Sequence, residues 1–176
     1  MKNYSTSEYK IDIDLSFTPF PVKDLNVSLD NETLELMKNS NKWINEICNW
    51  IKFIQVNKTL QCPKLVRSAS QFSLGLELTN DEKILDLNSV WLGQSKSTDV
   101  LSFPILDETY FGGNHECIEL GDIVISVPTA IRQAKENNAE LFRELRWLAS
   151  HGLLHLLGWD HSCLLYTSDA ADEERG

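Results

Sequence analysis

His151-Gly152-Leu153-Leu154-His155-Leu156-Leu157-Gly158-Trp159-Asp160-His161 is the stretch on which the reading of this chain turns. His151 and His155 are four residues apart, so a helix puts both imidazoles on one face, one turn apart. Two such rings can chelate one metal ion. Gly158 follows three residues after the second histidine and can take a left-handed conformation that turns the chain sharply. That turn would bring His161 back to the same ion from outside the helix. Three neutral imidazoles with a fourth position open is the donor pattern of a catalytic zinc site rather than a closed structural one. The expectation is one zinc ion on His151, His155 and His161, the same residues carrying catalysis. Cys163, two residues further on, is a minor alternative ligand. His115, the fourth histidine of the chain, reads as an ordinary exposed loop residue.

Upstream, Leu141, Leu145, Leu148, Gly152 and Leu156 form one stripe at helical spacing, so the same helix that carries the histidines buries its other side. Pro128 suits the first turn of a preceding helix, which runs to about Asn137. Before it, Ile118 to Val127 alternates apolar and polar residues and reads as a strand. Tyr110 to Glu116 reads as a loop, and Val100 to Ile105 as a short strand closed by Pro104. Asn80 is set to cap a helix carrying Ile84, Leu85, Leu87, Val90 and Trp91. Phe72, Leu74, Leu76 and Leu78 alternate as a strand with one buried face. A helix is expected over Asn31 to Val56, capped by Ser28 or Asp30 and broken near Asn39-Ser40-Asn41. Tyr9 to Phe17 reads as the first strand, ended by Pro19 and Pro21. Trp43, Trp50, Trp91 and Trp147 sit at helical positions and are expected in the core. The fold class is α+β, a single mixed β-sheet with helices packed on it and a metal helix carrying the His-x3-His-x2-Gly-x2-His spacing. Residues 1–161 form one domain. Residues 162–176, a short apolar patch and then an acidic run, are set apart as a disordered or non-native tail.

The formal net charge is −10. An acidic chain is not an obvious polyanion binder, so a nucleic-acid surface would have to be a local basic patch. Lys58, Lys64 and Arg67 are close in sequence. Arg132, Lys135, Arg143 and Arg146 are spread over two helices, and the sequence does not say which of these share a groove. The four cysteines form no CxxC pair and read as reduced thiols. Met1 to Asp14 lacks the apolar core of a signal peptide, and no stretch approaches the roughly 20 apolar residues of a membrane span. A cytoplasmic location is expected.

The histidine spacing is also that of the metzincin peptidases, which carry a glutamate base directly after the first histidine. Here that position is Gly152, so the peptidase reading loses its base. The whole segment resembles the signature of the YbeY family, the bacterial endoribonucleases of ribosomal RNA maturation. Thr98-Asp99-Val100-Leu101-Ser102-Phe103-Pro104 is similar to a strand of that family. Leu120-Gly121-Asp122-Ile123-Val124-Ile125-Ser126, with Thr129-Ala130 and Arg132-Gln133-Ala134, is similar to its next strand and helix. The resemblance covers about Phe72 to His161. It implies a zinc-dependent endoribonuclease cutting single-stranded RNA, with ribosomal RNA and the small ribosomal subunit as partners, no membrane and no DNA. It also makes His151, His155 and His161 the ligands and sets the Thr98–Pro104 strand, with Thr98, Asp99 and Ser102, beside the cleft. Asp160 would support a ligand or shape the turn, and Trp159 would wall the cleft or pack under it. Where the family has an arginine six residues before this threonine, this chain has Leu92. Lys96 is the nearby cation that could stand in. Two alternatives remain at this stage: a zinc-binding, ribosome-associated factor with weak or no turnover, and a metzincin-like metallopeptidase.

Overall fold

A computed structural model describes residues 10–106 and 117–159. The Tyr110–Glu116 loop, His115, Asp160, His161, Cys163 and the 162–176 tail lie outside the described residues. Four strands form one sheet: β1 (Asp12–Thr18), β2 (Gln71–Thr79), β3 (Val100–Pro104) and β4 (Ile118–Ser126). Their order is β1-β2-β4-β3, with β1, β2 and β4 parallel and β3 antiparallel to β4. This is the mixed sheet expected, and the class is α+β.

The helices start and stop where local chemistry dictates. Asp30 accepts the Thr33 amide at 2.7 Å and begins α1 (Asn31–Lys38). The Asp30 carboxyl is held below its usual range, chiefly by that backbone hydrogen bond. Asn39 ends α1 and caps α2 (Ser40–Val56) through the Asn41 amide at 2.9 Å, which is the expected break. A five-residue helix, α3 (Lys64–Ser68), and a single 3-10 turn at Val22–Asp24 were not foreseen; both are too short to show periodicity. Asn80 caps α4 (Asp81–Leu92), and Gly93 closes it at φ 66°. Ser126 caps α5 (Val127–Glu136), whose first turn holds Pro128. α6 (Leu141–Leu156) carries the histidines.

The two faces of the sheet are unequally covered. Phe72, Leu74, Leu76, Leu78, Ile123 and Ile125 point to one face and are buried under α2 and α6, with Trp43, Ile47, Ile51, Leu145, Leu148 and Leu153 across from them. The other face carries α4, which packs Ile84 and Leu87 on Leu101, Val124 and Phe103. The remainder is a groove of about 550 Å³ lined by Ser16, Thr18, Gly75, Glu77, Lys83, Trp91 and Asp122 among others. Because α4 reaches only part of this face, Trp91 is 67% exposed, together with Val90 and Leu92. The expectation that Trp91 is a core residue is therefore corrected. Trp91 instead meets the Phe103 ring edge-on at 6.3 Å between centroids. Trp43 is fully buried as expected, while Trp50 and Trp147 are half-buried.

A polar node ties α4 to the β4–α5 junction. Asp81 accepts hydrogen bonds from Ser126 Oγ (2.5 Å), Thr129 Oγ1 (2.6 Å) and Arg132 Nη2 (2.8 Å). Burial pushes its carboxyl up, but these three donors and the Arg132 charge outweigh that, so it lies below the ordinary 3.8. A carboxylate with a depressed folded value stabilises above its unfolded value and loses that contribution as pH falls through the folded one. Its side chain is still 33% exposed, so screening keeps the effect modest. Asp81→Asn is expected to cost about 1–2 kcal/mol at pH 7. In urea titrations the gap from wild type should narrow as pH falls below 3.8 and close once pH is below the folded value. A gap that is constant with pH would show that the node acts by shape and not by charge.

Candidate active site

Helical geometry dictates what α6 can present. Leu145, Leu148, Ala149, Gly152, Leu153 and Leu156 are buried against the sheet and neighbouring helices. His151 and His155 are half-buried on the adjoining face, with ring centroids 5.0 Å apart at 69°. One turn earlier the Trp147 ring lies 6.3 Å from that of His151.

Gly152 sets how closely this helix approaches the sheet. A Cβ built there would lie 2.7 Å from Ile123 Cγ2 and 3.1 Å from Ser102 Oγ. Ser102 Oγ donates to the Gly152 carbonyl at 3.0 Å, pinning β3 to the histidine helix. The position after the first histidine therefore faces the sheet, with no room for a side chain. A glutamate base cannot stand there, which adds a steric reason to the chemical one against the metzincin-like peptidase reading.

The helix ends in a Schellman turn. Gly158 has φ 89°, its amide reaches the His155 carbonyl at 3.0 Å, and the Trp159 amide reaches the Leu154 carbonyl at 3.0 Å. Trp159 is 9% exposed and donates its indole N–H to the Gln61 carbonyl at 2.8 Å. It packs under the site as well as walling it. The turn is thus tied to the connection between α2 and α3. Between these two parts lies a cleft of about 790 Å³, lined by Leu60–Lys64, Arg67, Pro104, Leu106, and His155 through Trp159. Among the described residues that line it there is no carboxylate. The groove on the opposite face, by contrast, holds Asp122 and Glu77.

Sequence-singled residues separate into two places. Ser102, Trp159, His151 and His155 come together around the end of α6. Thr98 and Asp99 precede β3, and their contacts run elsewhere. Asp99 accepts from Gln133 Nε2 (3.0 Å) and the Val100 amide (2.7 Å), while its carbonyl receives the Ser126 amide at 2.9 Å. Three strand residues, roughly 10 Å, separate Asp99 from Ser102. Leu92 is exposed at the end of α4 and lines neither cavity. Lys96 lies in the following loop, its carbonyl held by the buried Asn88 side chain at 2.9 Å, and lines neither cavity. The sequence reading missed Asp81 and Gln61. Ser126, Thr129 and Arg132 recur every third residue, which could have signalled a shared partner for one helix face. Gln61 acts through its backbone carbonyl, for which no side-chain signal exists.

Two imidazoles one turn apart fit two positions of a zinc site in the chemistry of their donors. Among the described residues no group of three possible ligands is assembled, and His161 lies outside them.

A family model described as Endoribonuclease YbeY matches residues 26–169. The Endoribonuclease YbeY of Prochlorococcus marinus strain NATL2A is 75% identical over 162 residues, covering 92% of this chain and 88% of that protein. Its namesake in strain MIT 9313 is 47% identical over 161 residues, covering 92% and 86%. A solution structure of TM1509 from Thermotoga maritima aligns at TM-score 0.47 and 20% identity, over 84% of this chain and 75% of that one.

Proposed function

The chain belongs to the YbeY family, and on that premise we propose that it is a metal-dependent endoribonuclease that cuts single-stranded RNA in ribosomal RNA maturation and ribosome quality control. The observation that carries the reading is the pairing of His151 with His155, which lines a cleft with no carboxylate among its described residues, in an otherwise acidic molecule. His151, His155 and, by its place in the sequence, His161 would hold one zinc ion. When bound, zinc supplies Lewis-acid polarisation of a phosphoryl oxygen and acidifies water toward neutral pH. The protein's own part is to orient. Ser102 fixes the height of α6 on the sheet, and Gly152 lets it sit there. Trp159 and Gly158 set the direction in which the chain leaves the helix. Leu156, Leu157, Pro104 and Leu106 supply the apolar part of the cleft lining. The ribosomal RNA and the small ribosomal subunit are the proposed partners. No helix of the described residues is long and apolar enough to cross a membrane, and the cytoplasm is the proposed location.

The test is a labelled single-stranded RNA incubated with the purified chain, with chelator, and with zinc restored. Cleavage lost on chelation and regained with zinc is expected. Absence of cleavage by folded, zinc-loaded protein would overturn the enzyme reading and leave a zinc-binding ribosome-associated factor in its place.

A further inference from the structure

The acidic charge of the chain opposes RNA binding, so the few cations beside the cleft decide whether a phosphodiester can be held there. Among the described residues two line it, Lys64 and Arg67. Arg67 is committed to the protein itself. Its Nη1 donates to the carbonyls of Ile54 (3.4 Å), Gln55 (3.1 Å) and Asn57 (3.5 Å), and its Nη2 to that of Leu60 (2.6 Å). Gln55 Nε2 reciprocates onto the carbonyls of Val66 and Ala69, both at 2.7 Å. This two-way clamp satisfies the last carbonyls of α2 and builds the wall of the cleft. It leaves the guanidinium no free fork for a phosphate.

Lys64 differs. It opens α3, its side chain is exposed at the cleft, and among the described residues it makes no ion pair or side-chain hydrogen bond. Elsewhere Lys83, Arg132 and Arg146 are paired with Glu77, Asp81 and Glu46. Among the described residues that line the cleft no carboxylate competes for this ammonium, so it attracts a phosphate, whereas the groove on the other face presents Asp122 and Glu77. Building on the proposed endoribonuclease reading, we propose that Lys64 holds a phosphate of the RNA strand next to the linkage cut beside His151 and His155. It supplies from the α2–α3 side a charge that Leu92 cannot.

The test is binding of a short fluorescein-labelled 2′-O-methyl oligoribonucleotide, which resists cleavage, to the full zinc-loaded chain over a range of salt. One phosphate contact on a single strand contributes about 0.7 to the slope of log K against log salt. Lys64→Ala should lower the slope by about that amount, and Lys64→Arg should keep it. Lys96→Ala, which removes the same charge away from the cleft, should change it little. With cleavable RNA, Lys64→Ala should raise KM several-fold and leave kcat near wild type. If the wild type cuts RNA but Lys64→Ala and Lys96→Ala shift the slope equally, the Lys64 contact is overturned alone. If the wild type neither binds nor cuts RNA, the endoribonuclease reading falls and the Lys64 contact with it.

Discussion

Gly152→Glu is expected to abolish the folded state. The first carbon of any side chain at 152 would come within 2.7 Å of Ile123 Cγ2, a buried atom in the centre of the sheet. Alanine already forces α6 away from β3 and β4. Overpacking of that kind costs about 1–3 kcal/mol, offset by at most about 1 kcal/mol from the better helix propensity of alanine. Glutamate adds a carboxylate driven into an apolar contact, with no donor among the described neighbours except Ser102. That hydroxyl is already bound to the Gly152 carbonyl. The combined cost, on the order of 5 kcal/mol or more, is comparable with the whole stability of a typical domain. Circular dichroism should show a broad or absent melting transition for Gly152→Glu and a lowered one for Gly152→Ala. A Gly152→Glu protein melting like wild type would mean that α6 does not sit on β3 and β4 as described. The same contact explains why this helix, despite its histidine spacing, cannot be converted to peptidase chemistry by restoring the missing base.

What was legible in the sequence follows from what a one-dimensional pattern can encode. The stripe Leu141–Leu145–Leu148–Gly152–Leu156 and the alternation of Phe72–Leu78 repeat often enough to set both the element type and the buried side. Asp30, Asn39 and Asn80 announce helix starts because a cap acts within three residues. α3 offers only five residues and no period. Trp91 lies on a helical stripe like that of Trp43, yet one is exposed and the other buried. Periodicity reports which side of a helix is apolar, and does not report whether the sheet beneath extends far enough to cover its end. The site is legible to the same degree. The helical spacing brings His151 and His155 together. The roles of Arg67 and Gln61 pass through backbone carbonyls, and the sequence carries no mark of those partners. Arg67 and Lys64, three residues apart and alike as cations on paper, part ways only when the carbonyls around Arg67 are known.

His155→Ala and His151→Ala should separate function from fold in the opposite sense to Gly152. Both rings are half-buried on the face of α6 that leaves the sheet, so the core under Leu145, Leu148 and Leu156 is untouched by their removal. His155→Ala loses the contact with the His151 ring, 5.0 Å between centroids, and His151→Ala loses that contact and the one with the Trp147 ring at 6.3 Å, while each gains up to about 0.7 kcal/mol of helix propensity. With the core intact, the metal-free variants should stay folded and melt within about 5 °C of metal-free wild type. Zinc should act differently on the two kinds of protein. A ligand that binds only the folded state at about a hundred times its Kd stabilises by roughly 2.7 kcal/mol, which is about 5–10 °C for a chain of this size. That rise is expected for wild type and should be lost in either variant. RNA cleavage should fall by more than the roughly 10–100-fold that follows loss of a residue merely supporting a ligand. Differential scanning fluorimetry with and without zinc, beside the cleavage assay, reads both quantities on one preparation. If the zinc-induced rise survives in His155→Ala, the ion is held elsewhere, and the helix pair is a packing feature of α6. If the rise is lost but cleavage persists, the ion is bound where proposed and the chemistry does not need it.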